Sequence, residues 1–231
     1  MHSTDTKSRR RFLGKMLGAA TAATLPVAKM STAAAAMESG HDKWLDEVTG
    51  SHKCMFDFPQ HKKGAGLVHI LNYTSTYMAA YGAEVSDIST IGTLYAVGGS
   101  SSIPMAFNDA MWTKYKFGEY MELNDPNTGK ASVRNFFYKS MDGDEVPRVG
   151  PIGPFPAATI SALQANMGTI FLLCNNAAVA LGMDLARLGF GDAAEITAEL
   201  LENLVPGIHV VPAMVIAIEK AQAAGISYNK Q

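Results

Sequence analysis

Cysteine is nearly missing from this chain: Cys54 and Cys174 are the two among 231 residues, too few for a disulfide scaffold. Long apolar runs are missing too, and no segment reaches the roughly 20 strongly apolar residues that a membrane-spanning helix needs. Basic residues form a run only at Arg9-Arg10-Arg11, and the formal net charge is -2. That balance excludes a nucleic-acid partner held by phosphate contacts. The histidines at 41, 52, 61, 69 and 209 show neither H-x-x-x-H nor H-E-x-x-H spacing, and C-x-x-C is absent, so no metal centre and no cofactor is expected. The thirteen methionines invite a copper reading, but their scattered, core-like spacing reads as packing. A nucleophile elbow of the G-x-S-x-G kind is also lacking.

What is present begins with a leader. Ser8-Arg9-Arg10-Arg11-Phe12-Leu13-Gly14-Lys15 precedes a weakly apolar stretch from Met16 to Ala28 and the small-residue run Ala33-Ala34-Ala35-Ala36. A charged region, a short apolar region and an A-x-A site in that order make a secretory signal, and paired arginines followed by Phe-Leu specify the twin-arginine form. Residues 1–36 are therefore expected to be a twin-arginine signal peptide. Export to the periplasm or cell exterior follows, with no membrane insertion after signal removal. The remaining 195 or so residues suit one domain, 37–231, large enough to bury a core without staples.

Hydrophobic periodicity organises that domain. His52 to Phe58 reads as a short strand. Gly66 to Gly82 carries Leu67, Ile70, Leu71, Thr74, Tyr77, Met78 and Tyr81 at three-and-four spacing, a helix that Gly82 ends. Ile88 to Val97 is a β-branched strand running into Gly98-Gly99-Ser100-Ser101-Ser102. Pro104 suits the first position of a helix continuing through Met111 to Tyr115. Residues 117–156 break the pattern with five prolines and two Gly-containing turns, predicting an irregular insertion with one extended piece around Arg134 to Tyr138. A connection that long is usually functional or interfacial. A helix is expected near Ala157 to Ala165, and then a core strand, Thr169 to Cys174. Asn175-Asn176 can cap a short helix through Ala180 ended by Gly182, and Asp192 with Glu195 resembles a capping box opening a helix to Leu204. His209 to Val211 is a short strand, and a last helix runs from Pro212 to a stop at Gly225. Alternating strands and helices predict a three-layer α/β fold, a mostly parallel sheet with helices on both faces.

Chemistry concentrates on Cys174. It ends the best core strand and immediately precedes a helix, where open α/β sheets place ligands and reactive groups. Unpaired N–H groups at the helix start favour a thiolate; the alternative is a buried cysteine acting as a small hydrophobe. Cys54 lies near the start of its strand and Cys174 at the end of another, so the two are expected on the order of 10 Å apart, unsuited to a disulfide. Asn175 and Asn176 are candidate donors to the sulfur. Asn108, Asp109, Trp112 and Lys114 form a second polar-aromatic group, together with Asp46, His52 and Asp57. Asn108 and Trp112 are binding candidates facing the same crevice, unless the helix simply packs its Trp and solvates its charges. Gly98 to Ser102 could cradle an anion but lacks the Lys and spacing of a P-loop. Arg134-Asn135 could bind an anion or tie subunits together.

The stretch from Thr169 to Tyr228 resembles the DsrE/DsrF-like family of sulfur-relay proteins. The resemblance rests on the strand ending in Cys174-Asn175-Asn176, on Leu181-Gly182-Met183, on Leu204-Val205-Pro206-Gly207, and on His209-Val210-Val211-Pro212-Ala213-Met214-Val215 leading to Gln222-Ala223-Ala224-Gly225-Ile226-Ser227-Tyr228. It implies a flavodoxin-like layered fold, a homo-oligomer (trimer or hexamer), a sulfur donor or acceptor protein as partner, and a persulfide-carrying cysteine that maps onto Cys174. A non-catalytic binding or assembly protein of the same fold, with an inert cysteine, is the alternative.

Overall fold

The computed structural model describes residues 40–231; the leader expected over 1–36 lies outside the described residues. Within the unit His41–Gln231, β1 (His52–Asp57) leads to α1 (Ala65–Tyr81), β2 (Ile88–Leu94), α2 (Asp109–Lys114), α3 (Phe117–Tyr120) and α4 (Ile160–Met167). There follow β3 (Ile170–Cys174), α5 (Asn175–Arg187), α6 (Ala193–Glu202), β4 (Ile208–Val211), α7 (Met214–Ala223) and β5 (Ser227–Lys230). The strands form one sheet in the order β4-β3-β2-β1-β5, and every pairing is parallel. β2 and β3 are buried along their whole length, as strands covered on both faces must be.

Register decides what faces what. Thr93 pairs with Leu172, Phe56 with Gly92 and Asp57 with Lys230, so Leu172, Thr93, Asp57 and Lys230 lie in one row across the sheet. Successive side chains alternate faces. Phe56 therefore points away from that row's face, and the Tyr73 ring of α1 packs on it edge-on at 5.5 Å. Cys174, two residues beyond Leu172, shares the face of Asp57, and its sulfur meets the backbone of Met214 at the start of α7. α1 and α7 thus cover opposite faces, and the fold is a three-layer α/β sandwich.

Several elements differ from their sequence-based expectation for local reasons. Pro104 opens only a 3-10 turn, Ile103–Ala106; the Asn108 side chain then accepts from the Met111 N–H at 3.2 Å and starts α2 afresh. Arg134 to Tyr138 is a turn and no strand, because the Asn135 side-chain oxygen takes the N–H groups of Phe137 and Tyr138, both at 3.1 Å, a local bond that competes with extended pairing. α4 starts at Ile160, capped by Thr159. Asn175 and Asn176 are the first helical residues of α5 and cap nothing; Cys174 occupies the capping position. α5 also runs through Gly182. A Cβ there would lie 2.1 Å from Thr197 Oγ1 and 2.8 Å from the Ala193 carbonyl oxygen, so this glycine lets α5 and α6 approach and does not end a helix. Asp192 caps α6 as expected, accepting from Ala194 and Glu195 N–H at 2.8 and 3.1 Å. β5 has no sequence signal: four exposed residues with neither alternation nor an apolar run.

The 117–156 segment is pinned to its own chain. Asn135 Nδ2 donates to the Met105 and Phe107 carbonyls, both at 2.8 Å, and Phe136 and Phe137 are buried around Trp112. Arg134 makes a two-pronged contact with the buried Asp144 carboxylate and lies over the Phe136 ring. These contacts engage both side chains within the chain, with the Arg134 guanidinium taken up by Asp144 in place of a bound anion.

Candidate functional site at the carboxyl edge of the sheet

Four strands bring polar side chains to the carboxyl edge. Asp57 ends β1 with its side chain buried, accepting from Thr93 Oγ1 at 3.1 Å and from the Tyr228 hydroxyl at 2.5 Å. Thr93 Oγ1 in turn accepts from the Phe58 N–H at 3.1 Å, which fixes its proton toward Asp57. The Tyr95 phenol lies against the same carboxylate. Burial, then the Asp57 carboxylate, holds Tyr95 far above the ordinary phenol range. The Asp57 hydrogen bond, then burial, pushes Tyr228 up to about 12. Both phenols remain protonated donors at neutral pH, so a buried carboxylate is satisfied without a cationic partner.

Cys174 sits one pleat beyond this row. It is 6% exposed, and its Sγ accepts from the Met214 N–H at 3.4 Å. Met214 is the first residue of α7, so the start of that helix donates to the sulfur, whereas the Cys174 side chain bonds none of the N–H groups that open α5. The α7 end directs partial positive charge toward the sulfur. Tyr95 also lies near Cys174, which links the sulfur to the Asp57 cluster. Cys54 differs in kind. It lies on the α1 face, and burial alone pushes its thiol up to about 11. Through its register partner Thr90, Cys54 lies five residues before the level of Cys174 and two strands from it, a separation of about 19 Å at ~3.3 Å per residue and ~4.8 Å per strand. Both cysteines are free, at a spacing far beyond disulfide reach.

No protein-family model, curated protein or solved structure matches this chain. Function has to be read from the edge itself.

Of the sequence candidates, Asp57 and Cys174 come together at this edge. Asn175 is half-buried and Asn176 exposed beside it, with the Asn176 N–H tied to the Pro212 carbonyl. Asn108 and Trp112 are structural. Asn108 caps α2 and donates to Asn203 Oδ1 at 3.1 Å. Trp112 is fully buried, and its Nε1 donates to the Pro104 carbonyl at 2.9 Å, so the helix packs its Trp inward and presents no ring to the crevice. His52 stacks on Tyr77 at 4.3 Å, away from the edge. Sequence reasoning missed Tyr95 and Tyr228. Tyr95 stands inside the strand expected over Ile88 to Val97, and only the observed end at Leu94 puts it just past the carboxyl edge; Tyr228 is not legible, because nothing local marks β5. Among the described residues no three His, Cys, Asp or Glu side chains converge to hold a metal ion, and no helix is long and apolar enough to cross a membrane.

Proposed function

We propose that this protein handles sulfane sulfur on Cys174 and works outside the cytoplasm after twin-arginine export. The observation that carries the reading is a buried strand-end sulfur that accepts the Met214 N–H at 3.4 Å from the start of α7. A preorganised backbone donor stabilises negative charge on sulfur without reorganising. In the transfer, the Cys174 thiolate attacks the outer sulfur of a hydropersulfide RS–SH. One S–S bond forms to Cys174, the donor's S–S bond breaks, and RS⁻ leaves, so no external oxidant is needed. The resemblance of Thr169 to Tyr228 to DsrE/DsrF-like proteins supports the same assignment. A homo-oligomer belongs to this reading: Val215 and Ile216, 73% and 46% exposed at the start of α7, offer apolar surface to a second copy beside the sulfur.

Intact-mass analysis before and after polysulfide treatment tests it. The wild type and Cys54→Ser should gain one or more sulfur atoms that a reductant removes, and Cys174→Ser should gain none. Equal uptake by Cys174→Ser, or no uptake by the wild type, sinks the proposal. The 6% exposure of Cys174 favours a second reading, an assembly or binding protein with an inert cysteine. That reading requires Cys174 to resist alkylation in the folded state.

A further inference from the structure

A second feature of the carboxyl edge lies at the β1, β2 and β5 end, beside Asp57. A cleft of about 420 Å³ opens there, within the size range of small-molecule sites. Its walls are the loop after β1, the loop after β2 and the end of β5. Two cations line it from separate segments, Lys62 and Lys230, and no acidic side chain does. Among the described residues neither lysine forms an ion pair. The cleft around Lys63 and Arg148 contrasts with it, since Glu122 and Glu145 neutralise that one.

A second, independent observation points the same way. Ser101 lines the cleft, is 1% exposed, and its hydroxyl has no hydrogen-bond partner. An unpaired buried hydroxyl costs about 1–3 kcal/mol, and such groups are rare unless something else satisfies them. Its neighbour Ser102 is fully committed, bonding both the N–H and the carbonyl of Tyr95 at 3.1 and 3.2 Å, which holds the Gly98–Ser102 loop in place. Lys62 and Ala96, on opposite walls, both have left-handed backbones, φ 37° and 69°. Non-glycine residues tolerate that conformation where surrounding structure enforces it.

We propose that this cleft binds a small molecule through a tetrahedral oxyanion, with Lys62 and Lys230 supplying the opposing charges and Ser101 the buried hydrogen bond. The site does not depend on Cys174. Two lysines lining one cleft suit a dianion, sulfate-like or phosphate-like, better than a carboxylate. Gln60, exposed at the rim and bridged to Ser101 through its backbone, offers an amide donor to the rest of the ligand.

The test uses the full chain, titrated at constant ionic strength with inorganic sulfate, thiosulfate and phosphate by calorimetry and thermal unfolding. Saturable binding by at least one of them with a rise in Tm is expected. The double variant Lys62→Gln/Lys230→Gln should lose at least tenfold in affinity. Ser101→Ala should be as stable as the wild type or more so without ligand, since it removes an unsatisfied group, yet bind several-fold more weakly. A preference for thiosulfate or sulfate identifies a sulfur oxyanion, and a preference for phosphate identifies a phosphate ester; either supports the site. Cys174→Ser should bind like the wild type, so loss of sulfur chemistry and loss of this cleft are distinguishable. Absence of saturable binding by all three anions, or unchanged affinity in both the lysine and serine variants, overturns the proposal.

Discussion

Single residues at the carboxyl edge show how burial and hydrogen bonding divide the labour among chemically similar groups. Two thiols of one chain meet opposite fates: Cys54 faces α1, its sulfur donating weakly to the Met55 carbonyl, while the Cys174 sulfur receives a backbone N–H. His61 is a third case, standing between the two cleft loops. Its Nδ1 accepts from the Lys63 N–H at 3.1 Å, and burial, then the Lys63 charge, lowers its pKa from 6.5 to about 4. Above pH 6.5 the ring is neutral in both folded and unfolded chains and contributes no pH dependence. As pH falls from 6.5 towards 4 the unfolded chain takes up a proton that the folded one refuses, so stability drops. Discounted for partial exposure, the loss should be about 1–2 kcal/mol. Histidine ring shifts followed by NMR should place the His61 midpoint near 4; a midpoint near 6.5 would show that the ring is not held as described.

At the scale of elements, the α5–α6 contact turns on one missing methyl group. Alanine is about 1 kcal/mol better than glycine inside a helix, so Gly182→Ala would stabilise α5 in isolation. In the folded chain its Cβ would collide with Thr197 Oγ1 and the Ala193 carbonyl, and overpacking of this kind costs about 1–3 kcal/mol. A net loss of stability in urea unfolding is expected. Thr197→Ala should restore it only in part, because the Ala193 backbone stays in the way. Full recovery would mean that the side-chain clash alone sets the helix spacing. In the sequence Gly182 looks like a helix stop; only the presence of α6 gives it its actual role. The same holds for Asn108 and Trp112, whose polar groups look available along the chain and are consumed by Asn203 and Pro104 in the fold.

For the molecule as a whole, the 117–156 segment is part of the cooperative unit. Asn135 satisfies two carbonyls of the β2–α2 connection and two N–H groups of its own turn, while Phe136 and Phe137 complete the cluster around Trp112. Asn135→Ala strands the Met105 and Phe107 carbonyls in the interior, at about 1–3 kcal/mol for each buried unsatisfied group. A loss of about 2–6 kcal/mol in a single unfolding transition is expected. A variant that kept wild-type stability, or that showed a separate early transition for this segment, would mean the insertion folds apart from the sheet. Its tight anchoring also explains why prolines at 147, 151, 154 and 156 and scattered polar residues read as irregular: the order comes from side-chain bonds to distant backbone, which no local periodicity records.

The alternation of strand and helix patterns, the turn chemistry at Gly82, Asp192 and Gly225, and the place of Cys174 at the end of a buried strand before a helix are properties of the sequence by itself. They are local, arising from the 2.0 and 3.6 residue periods and from caps that act within a few positions. Tertiary structure alone decided which strands are neighbours. β5 carries no apolar pattern and becomes a strand because the edge of β1 offers unpaired backbone groups. That one pairing brings Tyr228 to Asp57 and Lys230 across from Lys62, although more than 160 residues separate each pair in the chain. Both the carboxylate cluster and the cationic cleft therefore exist only once the last strand has docked.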